Sequence, residues 1–246
     1  MAPHVMTAEA DRLVSRARVV LLALDGPLCR LFPPGGEELR QLADDLCGLV
    51  ARRGGPDAAG QLPDAPRAGR DPYAVLAAVA EGADTALATA VRERVTAAEL
   101  QAVPRAVPTP WADPLVRTWA SLGVRTAVVT RHAAEAASRY VAGRGLTEAL
   151  PRVCGRGTGR RDEFGYTLAG ALASLDATRE EALFVGETPA HLAAARAAGV
   201  PFLGHARSEV RERQLVEAGA QHLVGSLKFV LDALTGTAGR TPVTPC

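Results

Sequence analysis

Two rhythms of apolar residues divide this chain. From Val19 to Ala23 five consecutive apolar residues run into Leu24-Asp25-Gly26-Pro27. That is the pattern of a short strand buried on both faces, delivering one acidic residue to its carboxyl end. Leu39, Leu42, Leu46, Leu49 and Val50 then recur at helical spacing, followed by Leu76 and Val79, and by Leu87, Val91 and Leu100. This spacing predicts an all-helical segment over residues 33–105, interrupted by the loop chemistry of RRGGPDAAGQLPDAPRAGRDP. The four prolines of PRAVPTPWADP mark a linker or hinge at its end.

From Pro114 the pattern alternates. PLVRTWASLG, AAEAASRYVAGRG, YTLAGALASL and AHLAAARAAG read as helices, as do Glu209–Ala218 and Leu227–Leu234. Between them VRTAVVT, RVCG, ALFVG, VPFLG and HLVG read as strands. Repeated βα units predict an α/β fold, a doubly wound parallel sheet with a helical unit inserted after the first strand. The expected division is a core of residues 1–32 and 106–240, the helical insertion 33–105, and a loose tail 241–246.

Composition narrows the function. A net charge of +1 and 4% aromatic residues provide neither a field for nucleic acid or an anionic membrane nor base-stacking platforms. No apolar run reaches membrane-spanning length. Charges at Asp11, Arg12, Arg16 and Arg18 break the apolar stretch a secretory leader needs, so a cytoplasmic location is expected. Cys29, Cys47, Cys154 and Cys246 form no C-x-x-C pair or zinc spacing and are expected as free thiols. The basic residues are arginines with one exception, Lys228.

The chemistry gathers at strand ends. The first strand closes on Ala23-Leu24-Asp25-Gly26, the next on Thr130, and a later one on Gly186-Glu187-Thr188. In a parallel sheet these ends share one edge, where ligands bind. With the helical insertion and the segment ALFVGETPAHLAAARAAGVPFLG, they resemble the haloacid dehalogenase (HAD) superfamily, most closely its cap-bearing phosphatase-like hydrolases. The likeness extends over nearly the whole chain.

That resemblance implies a helical cap on a Rossmann-like core, and four motifs. An aspartate nucleophile forms an aspartyl-phosphate, an aspartate two residues on is the acid/base, a Ser/Thr and a Lys stabilise charge, and a fourth motif supplies acids for Mg²⁺. On this chain the nucleophile position is Ala23 and the acid/base position Asp25. Thr130 fills the second motif. The lysine position falls on or near Asp162, preceded by Arg160 and Arg161. Glu187 and His191 stand in the fourth motif. A methyl group neither attacks phosphorus nor ligates a metal, so no cofactor is expected and Mg²⁺, left to Glu187, is expected to bind weakly.

The expected site is therefore Asp25, Thr130, Glu187 and His191 in one crevice, with Thr130, Arg131, His132 and Arg161 contacting a small-molecule ligand. Asp25 and His191 are expected to face each other. His4, His205 and His222 have no such setting and are expected at the surface, and CGRGTGRRDEFG reads as a flexible loop. The leading expectation is acid–base chemistry on a small metabolite without a phospho-enzyme. The alternatives are a non-catalytic binding or regulatory protein with a protein partner, and a Mg²⁺-dependent phosphatase, residual or with Ala23 as a trap substitution.

Overall fold

The computed structural model describes residues 6–32, 36–54, 71–81, 85–156 and 164–236. Arg160, Arg161, Asp162 and the tail 241–246 lie outside the described residues, as does most of the Gly/Pro-rich loop before Asp71.

After helix α1 (Ala8–Arg16), strand β1 (Val19–Ala23) enters the middle of a six-stranded parallel sheet. Every residue of β1 is buried, as an uninterrupted apolar run requires. Side chains alternate along it: Val20 and Leu22 enter the core on one face of the sheet, Val19, Leu21 and Ala23 the core on the other. A two-residue strand β2 (Cys29–Arg30) pairs antiparallel with β3 (Val107–Pro108), so the chain leaves and re-enters the core side by side.

Between those two strands lie α2 (Glu37–Arg53), α3 (Pro72–Glu81) and α4 (Thr85–Ala102). They pack on each other through Leu42, Leu46, Val50, Leu76, Val79, Leu87, Val91 and Val95, an apolar cluster separate from those on the sheet. The helical spacing read from Leu42 to Val91 is that of this cluster.

The rest of the chain alternates. Helix α5 (Ala112–Ser121), β4 (Arg125–Ala133), α6 (Ala134–Gly143), β5 (Arg152–Arg156), α7 (Phe164–Ser174), β6 (Ala182–Gly186), α8 (Pro189–Ala198), β7 (Phe202–His205), α9 (Glu209–Glu217), β8 (Leu223–Val224) and α10 (Leu227–Leu234) follow in turn. The sheet order β5-β4-β1-β6-β7-β8 places α1, α5, α6 and α10 on one face and α7 and α8 on the other. Winding runs from β1 to β5 in one direction and from β6 to β8 in the other. The switch point therefore falls between β1 and β6, just where Asp25 and Glu187 leave their strands.

Two local expectations are corrected, and one element was not anticipated. Residues 8–16 form a helix capped by the Thr7 side chain. The proline-rich stretch is a short 3-10 turn plus strand β3, and Trp111 then takes a positive φ of 68° to start α5. His205 is 2% exposed, not at the surface, because β7 is an inner strand of the sheet.

Gly155 in β5 is a steric requirement. A Cβ there would sit 2.4 Å from the backbone nitrogen of Ala134, at the start of α6. Gly155→Ala is expected to destabilise the fold by about 1–3 kcal/mol, measured by urea unfolding. An unchanged midpoint would mean that β5 and α6 separate freely.

Candidate active site

A cleft of about 1020 Å³ opens over the carboxyl ends of β1, β4 and β6, with residues of α2 and α3 forming its far wall. Asp25, one residue beyond the end of β1 and Leu24, enters it with its side chain 36% exposed. One carboxylate oxygen, Oδ1, accepts the Leu31 backbone N–H at 3.1 Å. The other, Oδ2, lies 2.6 Å from Nε2 of His132.

His132 comes from the same strand as Thr130, two residues further on, because β4 continues to Ala133. Its backbone N–H donates to Thr130 Oγ1 at 3.1 Å, and its ring is 1% exposed. Behind the ring, Nδ1 lies 3.0 Å from Glu99 Oε1 and 2.6 Å from the Tyr73 hydroxyl, which itself donates to Glu99 at 2.9 Å. Glu99, at 0% exposure, is an α4 carboxylate driven against the sheet. Arg156 closes on it with a two-pronged contact of 3.1 and 3.2 Å, and the Ala133 N–H donates to Oε2 at 2.8 Å.

Hydrogen-bond geometry and charge together define the protonation of this chain of groups. Both ring nitrogens of His132 face carboxyl groups, which only accept when ionised, so a doubly protonated ring satisfies both contacts. Burial opposes a charge on the imidazole, yet Asp25 and then Glu99 override it and raise its pKa to about 9. Burial likewise pushes the Asp25 carboxyl up, but the charge and hydrogen bond of His132, with the Leu31 amide and Arg131, hold it down at about 2. Glu99 is also lowered: against burial stand His132 first and then Arg156. The site rests as Asp25⁻, His132⁺, Glu99⁻ and Arg156⁺.

The fourth-motif residues are engaged differently. Glu187 lies over Gly26, whose φ of +96° and missing Cβ leave room for it; a Cβ would lie 2.2 Å from the Glu187 carboxyl carbon. Its Oε2 accepts from Arg207 at 2.9 Å. His191 lines the cleft within reach of the Asp25 charge, but the side-chain hydrogen bond to the carboxylate comes from His132. The His191 Nδ1 instead accepts the Glu187 backbone N–H at 3.1 Å, which fixes the ring at the start of α8. Burial holds His191 down at about 4, helped by Arg131 and Arg211 and opposed by Asp25. Arg131 stacks on the Tyr73 ring at 4.0 Å and reaches Asp71 at 3.3 Å.

Asp25, Thr130, Arg131, His132, Glu187 and His191 thus all border one cleft. Sequence reading missed Glu99, Tyr73, Arg156 and Arg207. Glu99 did leave a trace. Leu87, Val91, Val95 and Glu99 recur every four residues, a carboxylate at the end of an apolar column.

No protein-family model and no curated protein sequence matches the chain. Solved structures do. A predicted phosphatase from Clostridium acetobutylicum superposes with a TM-score of 0.63 at 14% identity, covering 89% of this chain and 98% of that one. CbbY from Rhodobacter sphaeroides in complex with phosphate gives 0.60 at 19%, covering 89% and 99%. L-2-haloacid dehalogenase from Xanthobacter autotrophicus, with chloropropionic acid covalently bound, gives 0.53 at 18%, covering 92% and 100%. The chain has the HAD-like hydrolase fold. No helix among the described residues is long and apolar enough to cross a membrane.

Magnesium is implied by the likeness to phosphatases of this fold. The residues present do not fit it. Ala23 presents a methyl group, Glu187 is held by Arg207, and among the described residues no group of three His, Cys, Asp or Glu side chains is placed to hold a metal ion.

Proposed function

We propose that the cleft carries out acid–base chemistry on a small molecule without a covalent aspartyl intermediate. The observation that supports this most is the 2.6 Å contact between Asp25 and a buried, doubly protonated His132. A family nucleophile would stand at Ala23, and nothing there can attack. The pair holds one transferable proton, on a ring whose pKa of about 9 keeps it loaded at neutral pH. Asp25 is the member that meets the cleft. A proton passes from Nε2 to Oδ2 and on to a developing oxyanion, while Glu99, itself held by Arg156, fixes the ring from behind. This makes the pair a general acid for a leaving or enolic oxygen.

The experiment is incubation of the protein with a pool of metabolites, read by mass spectrometry, beside Asp25→Asn and His132→Gln. Turnover is expected in the native protein and a loss of roughly 10²–10⁴-fold in each variant. Aryl phosphate with Mg²⁺ is expected to stay at the buffer blank, for the native protein and for Ala23→Asp alike. Turnover indifferent to Asp25→Asn, or chelator-sensitive phosphate release, would overturn the proposal. A second reading, a binding protein, is favoured by the internal partners of Thr130, Glu187 and His191. It predicts ligand capture with no product.

A further inference from the structure

We infer that Arg207 stands in for the divalent ion: its guanidinium is the built-in cation of Glu187. Arg207 follows β7 by two residues, and β7 pairs with β6, the strand that delivers Glu187. The backbone on either side of it is fixed, since the Ala206 N–H donates to the Val224 carbonyl at 2.8 Å and the Ser208 side chain caps α9. The arginine is thus mounted on the sheet, and its Nη2 donates to Glu187 Oε2 at 2.9 Å.

The pair belongs to the cleft. Both residues line it, with side chains only 20% and 10% exposed, and a charge-assisted contact so far from solvent is little weakened by salt. Glu187 takes its place over Gly26, where any Cβ would collide with it. His205, the other basic side chain at this end of β7, is held neutral: burial first and then Arg207 keep it down at about 3. Of the two, Arg207 alone carries charge near neutral pH.

The rest of the cleft leaves a dication no opening. Asp25 is met by His132 and Asp71 by Arg131, so each carboxylate among the described lining residues has a cation of the chain beside it. Arg30, Arg92 and Arg211 line the cleft as well, and an entering divalent ion would meet their repulsion. Hard dications need several oxygen ligands, and here each carboxylate would first have to leave its partner.

The exchange has a chemical consequence. A bound metal ion can carry and activate a water molecule, whereas a guanidinium has no open coordination position. Arg207 supplies fixed positive charge at the strand ends and leaves proton transfer to Asp25 and His132. Its role stands apart from that proton chemistry, because metal affinity reads it directly.

Mn²⁺ titration of the full chain, read by paramagnetic broadening of the Gly26 and Glu187 amide signals, tests this. In the native protein both signals are expected to stay sharp at about 1 mM Mn²⁺. Ala23→Asp adds a carboxylate at the end of β1, beside the strand that bears Glu187, and is expected to stay sharp too, because Arg207 remains. The double variant Ala23→Asp/Arg207→Ala frees Glu187 and is expected to respond at an Mn²⁺ concentration at least about tenfold lower than Ala23→Asp. Arg207→Lys in the Ala23→Asp background keeps the charge and is expected to behave as Ala23→Asp does, with thermal unfolding confirming each fold. Broadening in the native protein that Glu187→Gln removes would overturn the inference without recourse to any Arg207 variant. So would a folded double variant no more responsive than Ala23→Asp.

Discussion

Replacing Glu99 by alanine is expected to lower the unfolding free energy by about 3–5 kcal/mol, the range for breaking a buried ion pair by removing one partner. Glu99 accepts from the His132 ring, the Arg156 fork, the Ala133 amide and the Tyr73 hydroxyl. Its removal leaves two cations facing each other across an empty volume. For a chain of this size the melting temperature should fall by roughly 6–20 °C. Glu99→Gln keeps the shape and loses the charge, so it should fall less while moving the His132 titration downward. A Glu99→Ala protein within about 1 kcal/mol of native would mean that His132 is neutral in the fold.

Stability should peak close to neutral pH and fall on both sides. His132 is held near 9 in the fold, above the ordinary imidazole value of 6.5. Its contribution is complete below about pH 6.5 and is lost as the pH rises through 9. His191 and His205 are displaced the other way, to about 4 and about 3, by burial first. Between pH 6.5 and those values the unfolded chain binds protons that the folded one refuses, so stability falls with acidification. At the acid limit His191 accounts for about 3 kcal/mol and His205 for about 5 kcal/mol. Asp25, held at about 2 against an ordinary 3.8, adds a last loss between those values. Urea unfolding at pH 5, 7 and 9.5 measures both limbs, and His132→Gln should flatten the alkaline one alone. A native profile that is level from pH 7 to 9.5 would remove the charged imidazole from the account.

The strands were legible because a strand buried on both faces is an apolar run: Val19–Ala23 and Ala182–Gly186 stand as read. Helix α1 was not, since its residues were weighed only as a leader sequence. The β2–β3 ribbon is two residues long per strand and carries no periodicity. In the site, Asp25, Thr130, Glu187 and His191 could be placed together because parallel strands end on one edge. The partner of Asp25 could not, because its identity turns on how far β4 runs. Read as ending at Thr130, the strand leaves His132 in a loop. Continued to Ala133, it carries His132 inward beside Thr130. Glu99, Tyr73 and Arg156 meet only when the helical layer settles on the sheet, a long-range event that no local pattern encodes.

The amide of Ala133 has an unusual acceptor for a strand residue: the Glu99 carboxylate of the helical layer, 2.8 Å away. Its proton is shielded by that layer, so its deuterium uptake serves as a clock for the layer lifting from the sheet. Such lifting would strip a carboxylate and two cations of their partners at once, and it should be rare on the timescale of ligand diffusion. A molecule enclosed beneath α2 and α3 that needs this movement to leave would have a residence time set by the clock rather than by its own affinity.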